Sequence, residues 1–140
     1  MRYPILIEKI DGEYIATISH PSGRFQGVCS AASKAEVKLE AEKMIEVVIA
    51  SALADGEEIP NAKDCDSGND YIILPALLSA KVALFIEMRK QGKRKADLAK
   101  MLGVNQKQID RMFSPVHASV FAQLQAAAEA LGKKLEVRLA

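Results

Sequence analysis

A single glycine divides the stretch KADLAKMLGVNQKQIDRMF, Lys95–Phe113, into two segments whose apolar residues recur at steps of three and four. Such steps are typical of short amphipathic helices, and Gly103 between them tolerates the backbone of a sharp turn. The stretch therefore predicts a helix-turn-helix, in which two helices cross closely. It constrains the chain strongly because it also fixes which side of each helix is buried. The predicted inward residues are Leu98, Ala99, Leu102, Ile109 and Met112.

The second predicted helix has an outward side suited to reading nucleic acid. Asn105 is a good N-terminal cap, and burial of Ile109 and Met112 turns the polar residues of this helix outward. Gln can pair with adenine, Arg or Lys can pair with guanine, and a helix fits the major groove of DNA. The candidate DNA-contacting residues on this helix are Asn105, Gln106, Lys107, Gln108 and Arg111.

A basic cluster precedes the first of the two helices. Lys93, Arg94 and Lys95 are consecutive, and we expect them to contact phosphates and so position the reading helix. The alternative is a plain helical hairpin, since any such hairpin can show a glycine between two apolar stripes and a polar outer surface.

Charge is distributed unevenly about Pro75. Residues 1–75 carry 7 Lys/Arg against 13 Asp/Glu, a net charge of −6, whereas residues 76–140 carry 12 against 5, a net charge of +7. Unless the asymmetry arises by chance, it indicates two domains, 1–75 and 76–140, each with its own apolar set and able to fold alone. The basic domain would face a polyanion, and the acidic domain would be solvated or face a basic partner.

The first half has the pattern of a β-β-β-α-β unit. Tyr3–Ile10 and Tyr14–Ser19 are rich in strand formers, and the Asp-Gly pair between them favours a tight hairpin. A third strand is expected at Phe25–Cys29. A helix then begins near Ser33, which stands three residues before Glu36 as in a capping box, and ends at Gly56. A fourth strand is expected at Tyr71–Leu74.

The second half is predicted to be helical until its last residues. A helix over Leu77–Gln91 follows Pro75, and another over Ser119–Leu131 follows the helix-turn-helix. Leu135–Leu139 then alternates apolar and charged residues, which predicts a terminal strand. Because a lone strand needs a partner edge, we expect it to pair in a dimer or to pack back on the chain.

The sequence offers little for catalysis or for a bound metal. Cys29 and Cys65 lack zinc-ligand spacing, and His20 and His117 have no nucleophile at a recognisable spacing. No glycine-rich phosphate loop is present. We therefore predict no catalytic residue, no metal and no cofactor, and we expect a cytoplasmic protein that does not span a membrane.

The order of these motifs resembles the HicB-type antitoxin family across essentially the whole chain. The segments that carry the resemblance are FQGVCSAASKAEVKLEAEKMI, DGEEIPNAKD, YIILP, the helix-turn-helix and ALGKKLEVRLA. It implies an α+β chain with a partial ribonuclease-H-like domain that neutralises a small basic mRNA-cleaving toxin of the HicA type. It also implies a C-terminal domain that binds operator DNA as a dimer or a dimer of dimers, here similar to the helix-turn-helix subgroup.

A ribonuclease-H-like fold also raises the possibility of carboxylates that hold two metal ions. Glu8, Glu40, Glu46, Asp64 and Asp70 are the candidates, yet no Asp lies within the first strand and the helical glutamates fit a solvated face. We expect a non-enzymatic antitoxin and autorepressor. The alternative is a plain transcriptional repressor whose first domain senses a small ligand or mediates assembly.

Overall fold

The computed structural model describes residues 1–139, which confirm a mixed α+β chain with four strands and five α-helices. A single 3-10 turn, Ala62–Asp64, precedes the last strand. The strands are β1 (Arg2–Ile10), β2 (Glu13–Ser19), β3 (Gln26–Ala31) and β4 (Asp70–Ile73). The helices are α1 (Lys34–Asp55), α2 (Ala76–Lys90), α3 (Lys95–Leu102), α4 (Gln106–Phe113) and α5 (Phe121–Ala130).

The chain divides into two compact units. The first comprises Met1–Ala52 and Ile59–Pro75, and the second comprises Leu53–Glu58 together with the chain from Ala76 onward. One division falls after Pro75, and the last turn of α1 with the residues after it belongs to the second unit; the domains 1–75 and 76–140 remain a prediction. Counted by these units, the charges are 7 Lys/Arg against 10 Asp/Glu, or −3, and 12 against 8, or +4.

The first unit is built on an antiparallel sheet with the strand order β3-β2-β1-β4. The predicted hairpin joins β1 to β2, and its turn residues Asp11 and Gly12 have φ angles of 51° and 80°. Asp and Gly tolerate this left-handed backbone better than other residues, which explains why the chain reverses there.

One face of the sheet is covered by α1. This helix begins as predicted, because the backbone N–H of Glu36 donates to the Ser33 hydroxyl at 3.2 Å. Its buried side recurs every three or four residues, and the sheet contributes alternating residues that are buried beneath it. The core residues from α1 are Val37, Ala41, Ile45, Ile49 and Ala52, and those from the strands are Tyr3, Ile5, Ile7, Ala16, Ile18 and Ile72.

A side-chain amide extends the pairing of β1 beyond the end of β4. β4 pairs only with Arg2 to Ile5 of β1. At the next buried position, the Asn69 side chain accepts from the Ile7 N–H and donates to the Ile7 carbonyl, both at 2.8 Å. Asn69 therefore satisfies both backbone groups of a residue that is only 7% exposed.

Replacing Asn69 with Ala is expected to lower the free energy of unfolding by about 1–3 kcal/mol, because both Ile7 backbone groups would lose their partner. Urea unfolding monitored by circular dichroism would measure the loss. Asn61→Ala is the matched control, since Asn61 lies in the same connection and its side chain makes no cap hydrogen bond. Equal stability of the two variants would contradict this role for Asn69.

The second unit is a helical assembly around aromatic and aliphatic side chains. Phe85 of α2 packs edge-to-face on Phe113 at the end of α4, with ring centroids 5.6 Å apart and planes at 80°. The remaining buried apolar residues from these helices include Leu78, Val82, Leu84, Met88, Leu98, Ile109, Met112, Leu124 and Leu131.

The predicted terminal strand is wrong for this chain taken alone. Leu135–Leu139 has no strand assignment, and within residues 1–139 the segment joins no sheet. Alternation favours a strand, but a strand forms only where a second backbone edge supplies its hydrogen bonds. The predicted last helix is also shorter than expected, since α5 starts at Phe121 rather than at Ser119.

Candidate nucleic-acid interface

α3 and α4 are joined by the short connection Gly103–Asn105. Gly103 adopts the left-handed conformation, with φ 66° and ψ 31°, and its N–H donates to carbonyls at the end of α3. The Val104 N–H then donates to the Ala99 carbonyl at 3.0 Å. These bonds satisfy the last carbonyls of α3 and turn the chain directly into α4.

A reciprocal capping box fixes the start of α4. The Gln108 N–H donates to Asn105 Oδ1 at 3.0 Å, and the Asn105 N–H donates to Gln108 Oε1 at 3.1 Å. The predicted N-cap is therefore confirmed. Both side chains were also candidates for DNA contact, and the structure uses their oxygen atoms within the cap.

The outward side of α4 follows from what its inward side buries. Ile109 is 1% exposed and Met112 is 4% exposed, as the spacing predicts, and Phe113 is buried beside them. Gln106, Lys107 and Arg111 are exposed. The helix thus presents an amide, an ammonium and a guanidinium along one short surface, which is chemistry that recognises base edges and phosphates.

The three residues of the predicted basic cluster have different surroundings. The Arg94 side chain is 81% exposed and lies 3.7 Å from the Asp97 carboxylate. Lys93 Nζ donates to the Gln91 side chain at 3.2 Å. Lys95 is more enclosed, because its Nζ donates to the Leu53 carbonyl at 3.2 Å and lies 3.6 Å from Asp110 Oδ1. Arg94 is the most accessible cation for a phosphate.

Asp97 supports the start of α3. Its carboxylate accepts the Arg94 backbone N–H at 2.8 Å, and this bond, with the nearby Arg94 guanidinium, lowers the pKa of Asp97. The carboxylate is therefore ionised near the N-terminus of α3, where a negative charge is favourable.

Sequence reasoning missed Lys81, which is fully buried in α2. Its Nζ donates to the carbonyls of Ser114 and His117, each at 2.5 Å, and burial lowers the pKa of the ammonium. Because Ser114 is the C-terminal cap of α4, Lys81 fixes the end of that helix. The signal in the sequence is one lysine within the otherwise apolar run ALLSAKVALFI.

The carboxylates considered for metal binding are dispersed. Asp70 Oδ1 accepts from Lys38 Nζ at 3.0 Å, which lowers the pKa of Asp70, and Glu40 pairs with Lys43 at 2.9 Å. Across residues 1–139, no group of three or more His, Cys, Asp or Glu side chains could hold a metal ion. In that same span no helix has both the length and the apolar character needed to cross a membrane.

Removing the cap of α4 should loosen the helix that carries the candidate contacts. Asn105→Ala is expected to lower the free energy of unfolding by about 1 kcal/mol, whereas Asn105→Asp keeps an acceptor and should retain most of it. Thermal unfolding would measure both. Gln106→Ala, one residue along and exposed, is the control; a loss there as large as that of Asn105→Ala would exclude a specific capping effect.

The fold and this surface define an α+β protein of two oppositely charged units, one of which presents a short, firmly capped polar helix. No protein-family model matches the chain. It is similar to Antitoxin HicB of Pseudomonas fluorescens (strain Pf0-1), with 32% identity over 92 residues, which is 65% of this chain and 63% of that protein. The aligned part thus spans just under two thirds of that relative.

Two further relatives align over nearly their whole length. Antitoxin HicB 2 of Photorhabdus laumondii is 28% identical over 141 residues, covering 98% of this chain and 95% of that protein. Antitoxin HicB of Escherichia coli (strain K12) is 27% identical over 142 residues, covering 98% of each. These similarities support placing the chain in the HicB-type antitoxin family.

Proposed function

We propose that this chain is an antitoxin that neutralises a small basic mRNA-cleaving toxin of the HicA type and represses its own operon. In this reading the sheet with α1 is a partial ribonuclease-H-like domain, and α3, its turn and α4 form a helix-turn-helix. The names of the relatives support the antitoxin role. The protein acts by binding in the cytoplasm, without catalysis or a cofactor, and it binds operator DNA as a dimer or a dimer of dimers.

The observation that carries the DNA-binding proposal is the fixed outward side of α4. Lys107 and Arg111 are four residues apart and exposed, so they lie on the same side of the helix. Burial of Ile109 and the capping box at Asn105 prevent the helix from rotating or fraying. Lys107 and Arg111 read base edges in the major groove, Gln106 assists them, and Arg94 contacts phosphate. A symmetric dimer would engage half-sites about 34–36 Å apart or a multiple of that spacing.

Arg111→Ala should weaken binding to the operator by about 1–3 kcal/mol while leaving binding to random duplex almost unchanged, because it removes a contact to a base edge. Fluorescence anisotropy on the two duplexes at several salt concentrations would measure this. Arg94→Ala is the control for a phosphate contact and should weaken both duplexes alike. A loss for Arg111→Ala that is equal on both duplexes would contradict base reading.

The toxin-binding proposal rests on the exposed acids of α1. Glu36, Glu40 and Glu46 are all exposed on this helix, and within residues 1–139 Glu40 alone among them has a cation, Lys43, within salt-bridge distance. A basic RNA-binding toxin carries cations where it holds phosphates, and an acidic helix can occupy the same cations. We propose that α1 competes with RNA for the toxin in this way.

Reversing two of these charges should weaken the toxin complex. The double variant Glu36→Lys, Glu46→Lys is expected to raise the dissociation constant by about tenfold at low salt, and by less at high salt where the attraction is screened. Calorimetric titration of the full chain with the short basic protein encoded beside it would measure this. Glu129→Lys with Glu136→Lys makes the same change in net charge in the second unit and should leave the complex intact.

The same titration distinguishes the two hypotheses for the first unit, toxin binding in an antitoxin and a different role in a plain repressor. If the wild-type chain does not bind the neighbouring basic protein, the antitoxin role fails and a plain repressor remains. If it binds, but both double variants bind equally well, the antitoxin role stands and the toxin uses another surface than the acids of α1.

A further inference from the structure

A cleft with a volume of about 490 Å³ opens in the second unit, beside the N-terminal ends of α3 and α4. It is formed by the end of α1 together with α2, α3 and α4, and all of its lining residues belong to the second unit. We call it the α1–α4 cleft. Small-molecule sites in proteins have volumes of about 300–1,000 Å³, so this cleft is large enough to hold a ligand of that class.

The floor of the α1–α4 cleft is apolar. Phe85 and Met88 of α2 line it and are each 1% exposed, and Ala54 and Ala96 complete the apolar lining. A flat ring would bury its faces against these side chains, since aromatic and thioether groups both pack favourably on a ring. The floor therefore suits the base of a nucleotide better than a hydrated inorganic ion.

Two guanidinium groups lie at the rim of the cleft. Arg89 is near the C-terminal end of α2, Arg94 immediately precedes α3, and both side chains are exposed. The Arg94 Nε atom lies 3.7 Å from the Asp97 carboxylate, which is beyond hydrogen-bond distance, so Arg94 keeps donors for another anion. Guanidinium groups bind phosphate through paired N–H donors, and the rim therefore suits a phosphate group.

The rim also carries polar groups that match the other parts of a nucleotide. Gln106, the first residue of α4, is exposed, and its amide offers a donor and an acceptor to the edge of a base. The Asp55 carboxylate at the end of α1 can accept from a ribose hydroxyl, as acidic residues do in dinucleotide sites. The same carboxylate repels a small anion that has no hydroxyl group to offer it, which favours a nucleotide over free phosphate.

We propose that the α1–α4 cleft binds a purine nucleotide, with its base on the apolar floor, its phosphate at Arg89 and Arg94, and its ribose beside Asp55. This binding does not depend on the proposed function, but its consequence does. Arg94 and Gln106 are candidate DNA contacts, so a nucleotide that occupies them competes with the operator. Repression would then respond to nucleotide concentration through the second unit rather than the first.

Calorimetric titration of the nucleic-acid-free full chain with adenosine monophosphate and guanosine monophosphate would detect the site. At least one of the two should bind with one molecule per chain. Inorganic phosphate should bind about tenfold more weakly or worse, because it has no base to cover the apolar floor. Absence of saturable binding by both nucleotides would overturn the proposal, and so would binding of inorganic phosphate that is as tight as theirs.

Substitutions at the rim locate the ligand. Arg89→Ala removes a phosphate contact and should raise the dissociation constant of the nucleotide about tenfold. Lys90→Ala is the matched control, because Lys90 is the next residue of α2 and is also exposed but does not line the cleft. An equal effect of the two substitutions would overturn the assignment of the site.

Ala96→Glu closes the cleft by a different route. Ala96 is exposed in the first turn of α3, where a carboxylate is favourable, so the variant should keep the melting temperature of the wild type. The new carboxylate would occupy the cleft and repel the phosphate, so nucleotide binding should be lost. Binding by Ala96→Glu that equals binding by the wild type would overturn the proposal.

Competition with DNA is measured separately, by fluorescence anisotropy on the operator duplex. A nucleotide at about ten times its dissociation constant should weaken operator binding about tenfold, since both ligands need Arg94 and Gln106. A nucleotide that binds without changing operator affinity would overturn the competition. A wild-type chain that does not bind the operator would count against the proposed function instead, and the calorimetric titration, which contains no DNA, would still decide whether the cleft binds nucleotide.

Discussion

The second unit depends on the burial of one side of α4. A helix of eight residues is too short to be stable by itself in water, so α4 exists because the unit buries Ile109, Met112 and Phe113. Each such side chain contributes about 1.5–3 kcal/mol relative to an exposed position. The edge-to-face contact of Phe113 with Phe85 fixes the rotation of the helix as well as its presence. The outward direction of Arg111 is therefore a consequence of inward packing.

The buried Lys81 is the electrostatic counterpart of this packing. An ammonium in an apolar environment is costly, and among the described residues 1–139 it is two backbone carbonyls, and no carboxylate, that compensate it. Because burial lowers its pKa, the folded chain holds fewer protons than the unfolded chain between the folded and unfolded pKa values. The free energy of unfolding should therefore rise with pH across that interval. The same ammonium ties α2 to the end of α4 and to the connection that follows it.

Features that depend on neighbours in sequence could be predicted. The turn at Asp11 and Gly12, the cap at Asn105 and the inward residues of α4 each follow from local spacing and backbone preference. Asn69 and Lys81 could not be predicted, because their partners are 62 and more than 30 residues away along the chain. The prediction of a terminal strand was wrong for a related reason. Alternating apolar and charged residues indicate a preference for extended backbone, but a strand also needs the backbone edge of a second strand to supply its hydrogen bonds.

The six residues Leu53–Glu58 show why a boundary derived from charge differs from a structural one. They carry Asp55, Glu57 and Glu58 into the basic unit, so the contrast of −6 and +7 about Pro75 falls to −3 and +4 between the two units. These residues also stabilise the second unit. Leu53 is 1% exposed, and its carbonyl accepts a hydrogen bond from Lys95 Nζ, which lies 3.6 Å from Asp110 Oδ1 of α4. A fragment that begins at Ala76 would lose this support, although charge and proline both favour cutting there. The second unit is complete only with the end of α1, so α4, whose surroundings include that end, is not independent of the first 75 residues.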